Sequence, residues 1–272
     1  MAFFQVNFFS PSLCFNTDIC VFVPTPNSDE ILNHKKSDYF KDGAKFQTLY
    51  LLHGAYGDYT DWFRLTGIER YAQEHKLAVV MPSASNSFYQ NMYKGSAYLT
   101  YLLEELPEFV TKLFPLSKKR ENTFVAGLSM GGYGALRLAF QKPEQFAACA
   151  TLSGAVDIAA VKRDTDKGTI DGPFCWNAIF ENTEPEGTQA DIFELIKRDK
   201  EAGLPLPKVF QSCGTEDFIY PINVEGKKAF EKAGIDLTYE EHPGIHDWDY
   251  WDTHIRRVLD WLPLNNDSVE EG

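Results

Sequence analysis

Thr123-Phe124-Val125-Ala126-Gly127-Leu128-Ser129-Met130-Gly131-Gly132-Tyr133-Gly134-Ala135 joins two different patterns. Thr123–Ala126 is short and apolar with two β-favouring residues, which predicts a buried strand. From Gly132 through Phe140 the chain is rich in small residues and helix formers, and it stops before Pro143. A strand, a G-x-S-x-G turn and a helix together predict a nucleophile elbow. Such a turn is too tight for side chains at the flanking positions two either side of the serine, so both must be glycine. The strain lifts the Ser129 hydroxyl clear of the sheet and aims the helix N-terminus at a reacting group. The bare pattern occurs by chance in about one chain in ten of this length. A base, an acid and an oxyanion hole therefore have to be found around it.

Outward from the elbow, apolar strands alternate with helices, which predicts a mostly parallel sheet with helices on both faces. The strands fall at 47–52, 77–81, 122–126, 146–152, 207–212 and 236–241, with helices near 66–75, 96–114, 131–141, 223–233 and 248–262. Two alternating segments, 3–9 and 17–23, predict an antiparallel N-terminal hairpin at the sheet edge. Residues 155–205 interrupt the rhythm with polar, Gly- and Pro-containing sequence and one helical piece at Ile192–Lys200. Insertions above the C-terminal edge of such a sheet usually cap the ligand crevice. The expectation is a single domain over 1–272 of the α/β class, with 155–205 as a cap that sets substrate specificity.

With 272 residues, 44% of them hydrophobic and 24% charged, the chain has the composition of an ordinary globular protein. A net charge of −13 argues against a nucleic-acid surface. No apolar run approaches the ~20 residues needed to span a bilayer. The apolar start carries no positive charge before His34 and Lys35, so it does not read as a signal peptide. Five cysteines without C-x-x-C spacing fit reduced thiols better than a disulfide framework or a zinc site. These readings make a cytoplasmic location the expectation.

A serine hydroxyl needs a base within hydrogen-bond reach. On this fold the base comes last in the chain, after the final strand. His242 and His246 both qualify by position; His242 continues a strand, whereas His246 follows Gly244-Ile245 at the mouth of the last helix and is favoured. Asp217, just past the strand ending at Ser212, is the favoured orienting acid. Asp157 is the runner-up, with Glu216 and Asp236 as loop and strand-start alternatives, and Asp247 reads as a helix-start residue. The oxyanion donors are then the backbone N–H of Met130 and that of Ala55, in the His53-Gly54-Ala55 loop after the third strand. His53 itself reads as fixing that loop. Trp62 and Trp176 are the substrate-contact candidates, with core packing the alternative for each. Trp248 and Trp251, at helical spacing with Ile255, Val258, Leu259 and Leu262, read as packing against the sheet.

Leu51-Leu52-His53-Gly54, Asp61-Trp62, Gly127–Ala135, Cys213-Gly214-Thr215-Glu216-Asp217 and His246-Asp247-Trp248 together resemble the tributyrin esterase branch of the esterase D / S-formylglutathione hydrolase-like family, in the α/β-hydrolase superfamily. The likeness runs from the N-terminal hairpin to Trp261 and is weakest in 155–205. It implies a serine carboxylesterase, without cofactor or metal, for short acyl groups (acetyl to butyryl), sometimes on acetylated or hydroxycinnamoylated carbohydrates. Its partners would be small ester substrates, such as acylated sugars or phenolic esters, and edge strands together with family habit leave a homo-oligomer open. S-formylglutathione hydrolases typically carry histidine where Tyr133 and Trp248 stand, so these positions point away from glutathione thioesters. The competing readings are an acyltransferase on the same triad, an S-formylglutathione hydrolase, and a catalytically inactive ligand-binding α/β-hydrolase.

Overall fold

The alternation at the N-terminus forms a hairpin, β1 (Ala2–Ser10) and β2 (Phe15–Val23), paired along its whole length from Ala2 opposite Val23 to Ser10 opposite Phe15. The computed structural model describes residues 1–32, 39, 42–170, 172, 174–265 and 269–270. Six further strands follow in the main sheet: β3 (Thr48–Leu52), β4 (Ala78–Pro82), β5 (Thr123–Leu128), β6 (Ala148–Leu152), β7 (Lys208–Gly214) and β8 (Leu237–His242). Their spatial order is β1-β2-β4-β3-β5-β6-β7-β8, parallel from β4 through β8, with β2 antiparallel to β4. This is the α/β-hydrolase arrangement, a mostly parallel sheet with an antiparallel N-terminal hairpin.

Strand periodicity divides the core in two. Tyr50, Leu52, Ala78 and Val80 enter the apolar cluster on one face, and Leu49, Leu51, Val79 and Met81 enter the other. Successive side chains alternate across a strand, so a strand covered on both faces reads as a continuous apolar run. Helix Met130–Gln141 covers the first face and helix Trp248–Trp261 the second. Each fully buried aliphatic or aromatic side chain contributes about 1.5–3 kcal/mol, so the doubly covered centre of the sheet is the rigid base on which the loops stand.

Local signals place the helix ends. Asp157, Asp191 and Asp247 cap helices Ile158–Asp166, Ile192–Glu201 and Trp248–Trp261, each accepting from a backbone N–H in the first turn. Helix Tyr220–Ala233 has proline in its first turn and ends at Gly234, whose φ of 68° is left-handed. Helices Ile158–Asp166 and Trp176–Phe180 in the 155–205 segment were not expected from the sequence. All five cysteines are free. Among the described residues no helix is long and apolar enough to cross a membrane.

Candidate active site

The elbow forms where β5 ends and helix Met130–Gln141 begins. Ser129 stands between them at φ 53°, ψ −119°, a strained backbone for a residue with a side chain. Its N–H donates to Leu152 O at 2.9 Å, and its carbonyl accepts from Tyr133 N at 3.2 Å and Ala155 N at 3.1 Å. A Cβ on Gly127 would lie 2.3 Å from Gly131 O, and one on Gly131 would lie 2.4 Å from His53 O. The glycines thus let the turn close on itself and on the end of β3.

His246 Nε2 lies 3.0 Å from Ser129 Oγ, while its Nδ1 lies 3.0 and 2.9 Å from the two oxygens of Asp217. A carboxylate only accepts, so Nδ1 carries the proton and Nε2 is left to accept from the serine hydroxyl. The Asp217 side chain is fully buried and also accepts from Ile219 N–H at 3.0 Å. Two loops are stitched together to hold this pair. Thr215 N donates to His242 O at 3.0 Å, Glu216 N to Gly244 O at 3.1 Å, and Gly244 N to the Glu216 carboxylate at 2.6 Å. That last bond draws the Glu216 carboxyl below its ordinary range.

The alternatives sort themselves by partner. His242 ends β8 and faces Glu240 and His254. Asp157 and Asp247 spend their carboxylates on helix caps. His53 is buried, with Nε2 accepting from Ala84 N at 2.9 Å, so its Nδ1–H donates to Gly54 O at 2.7 Å. Burial lowers its pKa below the ordinary histidine value. Tyr89 O–H donates to the His53 carbonyl at 2.7 Å, completing a buried brace under the Gly54–Ala55 loop.

Ser129 and His246 open into a cavity of about 430 Å³. Ala55 and Met130 line it too, and Met130 is the first residue of its helix, where N–H groups have no partner inside the helix. Most of the remaining wall is apolar: Phe88, Val161, Ile170, Phe174, Phe218 and Trp251. Of the 155–205 segment, Ala155, Val161, Ile170 and Phe174 contribute.

Trp62 and Trp176 do not line the cavity; both are buried, which fits the core-packing alternative the sequence left open for each. Trp62 is buried, its indole N–H donates to Leu52 O at 2.9 Å, and its ring meets Trp248 edge-on. Trp176 packs behind Phe88 and Phe174, with centroids at 4.9 and 5.1 Å. Each supports a wall residue instead of forming the wall. Trp248 and Trp251 pack against the core as expected but also line the cavity. Phe88, Phe174 and Phe218 went unread in the sequence; only Phe218 carried a signal, its adjacency to Asp217. Tyr133 is buried, donating to Ala190 O and accepting from Gln90 Nε2, both at 2.7 Å.

The Esterase family model matches residues 33–262. An acetyl esterase of Caldicellulosiruptor saccharolyticus is 34% identical over 271 residues, covering 98% of this chain and 100% of that protein. The Staphylococcus aureus fluorophosphonate-binding serine hydrolase F superposes with a TM-score of 0.84 at 34% identity, over 96% of this chain and 98% of the other. The S-formylglutathione hydrolase (FrmB) of the same organism gives 0.81 at 34% identity, with the same coverage. The chain therefore belongs to the Esterase family of esterase D-like α/β-hydrolases and is a carboxylic ester hydrolase.

Proposed function

We propose that the protein is a serine carboxylesterase for short acyl (acetyl to butyryl) and hydroxycinnamoyl esters, carbohydrate esters included, with Ser129, His246 and Asp217 as its triad. The observation that carries this reading is the continuous hydrogen-bond chain Ser129–His246–Asp217 opening into an apolar cavity. Ser129 Oγ attacks the ester carbonyl as His246 Nε2 takes its proton, and Asp217 holds and stabilises the imidazolium. The Ala55 and Met130 N–H groups receive the oxyanion; one such donor is worth ~10²–10³ in rate. His246 then protonates the departing alcohol, and a water activated by the same ring releases the acid.

The cavity volume of about 430 Å³ lies toward the small end of ligand sites, which supports compact acyl groups. Residues 155–205 serve as the cap in this reading, because Val161, Ile170 and Phe174 supply apolar wall without supplying any of the triad. Ser129→Ala should lower p-nitrophenyl acetate turnover by about 10⁴-fold or more, and retention of most activity would sink the assignment. In a panel from acetyl to octanoyl plus feruloyl esters, kcat/KM should peak between acetyl and butyryl, with feruloyl also turned over. A maximum at octanoyl would remove the short-chain part of the proposal.

A further inference from the structure

The sheet divides the catalytic cavity into two arms. Over its first face stand Ala55, Phe88, Met130, Val161 and Phe174, which belong to the apolar cluster on that side. Over its second face stand Leu128, Trp248 and Trp251, which belong to the other cluster. The first arm presents apolar side chains. The second also holds a carboxylate that the triad does not use, that of Asp61.

Local structure puts Asp61 there. It opens helix Asp61–Leu65, and its neighbour Trp62 packs into the second cluster, edge-on to Trp248 at 5.4 Å. Its carboxylate fills the space that Gly57 leaves beside the oxyanion loop, because a Cβ on Gly57 would collide with Asp61 Oδ2. His246 stands in the same arm, its ring edge-on to Trp251 at 5.0 Å. The proton that His246 gives goes to the departing alcohol, so the alcohol half of an ester occupies this arm. The acyl half then lies against the Phe88–Phe174 wall.

The charge of Asp61 is not answered from within the cavity. Among the described residues lining it there is no lysine or arginine. The other carboxylate on the wall outside the triad, that of Asp247, is engaged by Tyr250 N–H at 3.0 Å. Burial of Asp61, and then the neighbouring Asp58 charge, raise its pKa above the ordinary value, while Arg64 draws it down less. Asp61 is only half-buried, so it stays ionised at neutral pH. A carboxylate placed in this way favours any donor or positive charge that a ligand brings, and it disfavours a second negative charge.

We propose that Asp61 selects the alcohol half of the substrate, accepting from hydroxyl or ammonium donors and turning away anionic alcohols and thiols. The inference rests on the serine-esterase reading and deepens it. The preferred leaving groups are neutral polyols such as sugars, or cations, and the rejected ones carry carboxylates.

Two pairs of esters test this at pH 7. One pair, acetylcholine and 3-acetoxypropionate, varies charge on the alcohol half; the other, p-nitrophenyl butyrate and p-nitrophenyl hydrogen succinate, varies it on the acyl half. Asp61→Asn should lower the acetylcholine-to-3-acetoxypropionate ratio of kcat/KM by about tenfold relative to wild type. The butyrate-to-succinate ratio should move by less than about threefold, because that charge lies in the other arm. Asp61→Ser, which removes the carboxylate with a smaller side chain, should reproduce both results. Asp58→Asn removes a carboxylate that is exposed and does not line the cavity; solvent screening should hold its effect on the first ratio within about twofold. A first ratio unchanged in both Asp61 variants, an equal shift in the succinate pair, or an equal shift in Asp58→Asn would each overturn the proposal. Turnover that survives Ser129→Ala would sink the triad, and this inference with it.

Discussion

Around the cavity, Ser129, Ala55, Met130 and His246 occupy strand ends and loops held by backbone hydrogen bonds, whereas Val161, Ile170 and Phe174 reach it from the 155–205 segment. The elbow rests directly on the backbone of Leu52 and His53, and the Asp217 and His246 loops are laced together. Phe174 is held by ring packing in the Phe88–Phe174–Trp176 cluster, Val161 and Ile170 by hydrogen bonds within their own segment, and the segment is tied to its surroundings by bonds such as Lys94 N to Ala178 O at 2.9 Å. The difference teaches where each property resides. In the proposed reading, chemistry depends on positions the backbone dictates, and selectivity on side-chain volumes that can change without disturbing it.

The comparison is broken most severely on the catalytic side. Asp217→Asn keeps the shape of the triad but lets His246 adopt the wrong tautomer, and kcat should fall by about 10⁴-fold while Tm changes little. A fall below tenfold would mean that Asp217 does not orient the base. On the cap side, Phe174→Ala should raise the octanoyl-to-acetyl ratio of kcat/KM by about tenfold and leave the rate of acetyl ester turnover nearly unchanged. An equal loss on every ester would place Phe174 with the machinery.

The smallest effect concerns stability. His53 is buried as the neutral ring under the Ala55 loop, and burial lowers its pKa below 6.5. Unfolded, it binds a proton below about pH 6.5 that the folded protein does not take up. Stability is therefore fully present above that pH and declines as pH falls through it, by at most about 1.4 kcal/mol per pH unit from this residue. His254, also lowered by burial, acts in the same direction. The 155–205 segment contains no histidine and adds no such slope. Urea unfolding between pH 7.5 and 5 measures it, and His53→Gln should flatten it; an unchanged slope would contradict the neutral-brace reading.

This contrast also explains what the sequence made legible. Apolar runs such as Leu49–Leu52 and Val79–Met81 announce strands because both faces are covered, and the elbow residues announce themselves because only glycine fits two positions to either side of Ser129. The placement of Asp217 and His246 beside Ser129 was legible because each lies in the loop after a strand, in the order that the fold requires. Depth was not legible. Whether Trp62 lines a pocket or donates to Leu52 O depends on tertiary packing that neighbouring residues do not encode. Helix Ile158–Asp166 escaped because it buries only Ile158, Ala160 and Val161, leaving a weak apolar stripe. Its signal was Asp157, considered as a triad acid when it was a helix cap.

Fluorophosphonate labelling with mapping of the modified peptide by mass spectrometry tests the central claim most directly. A nucleophile activated by His246 should take up one equivalent, at Ser129, and Ser129→Ala should take up none. Modification at another residue, or no modification of a protein that still hydrolyses p-nitrophenyl acetate, would contradict the account.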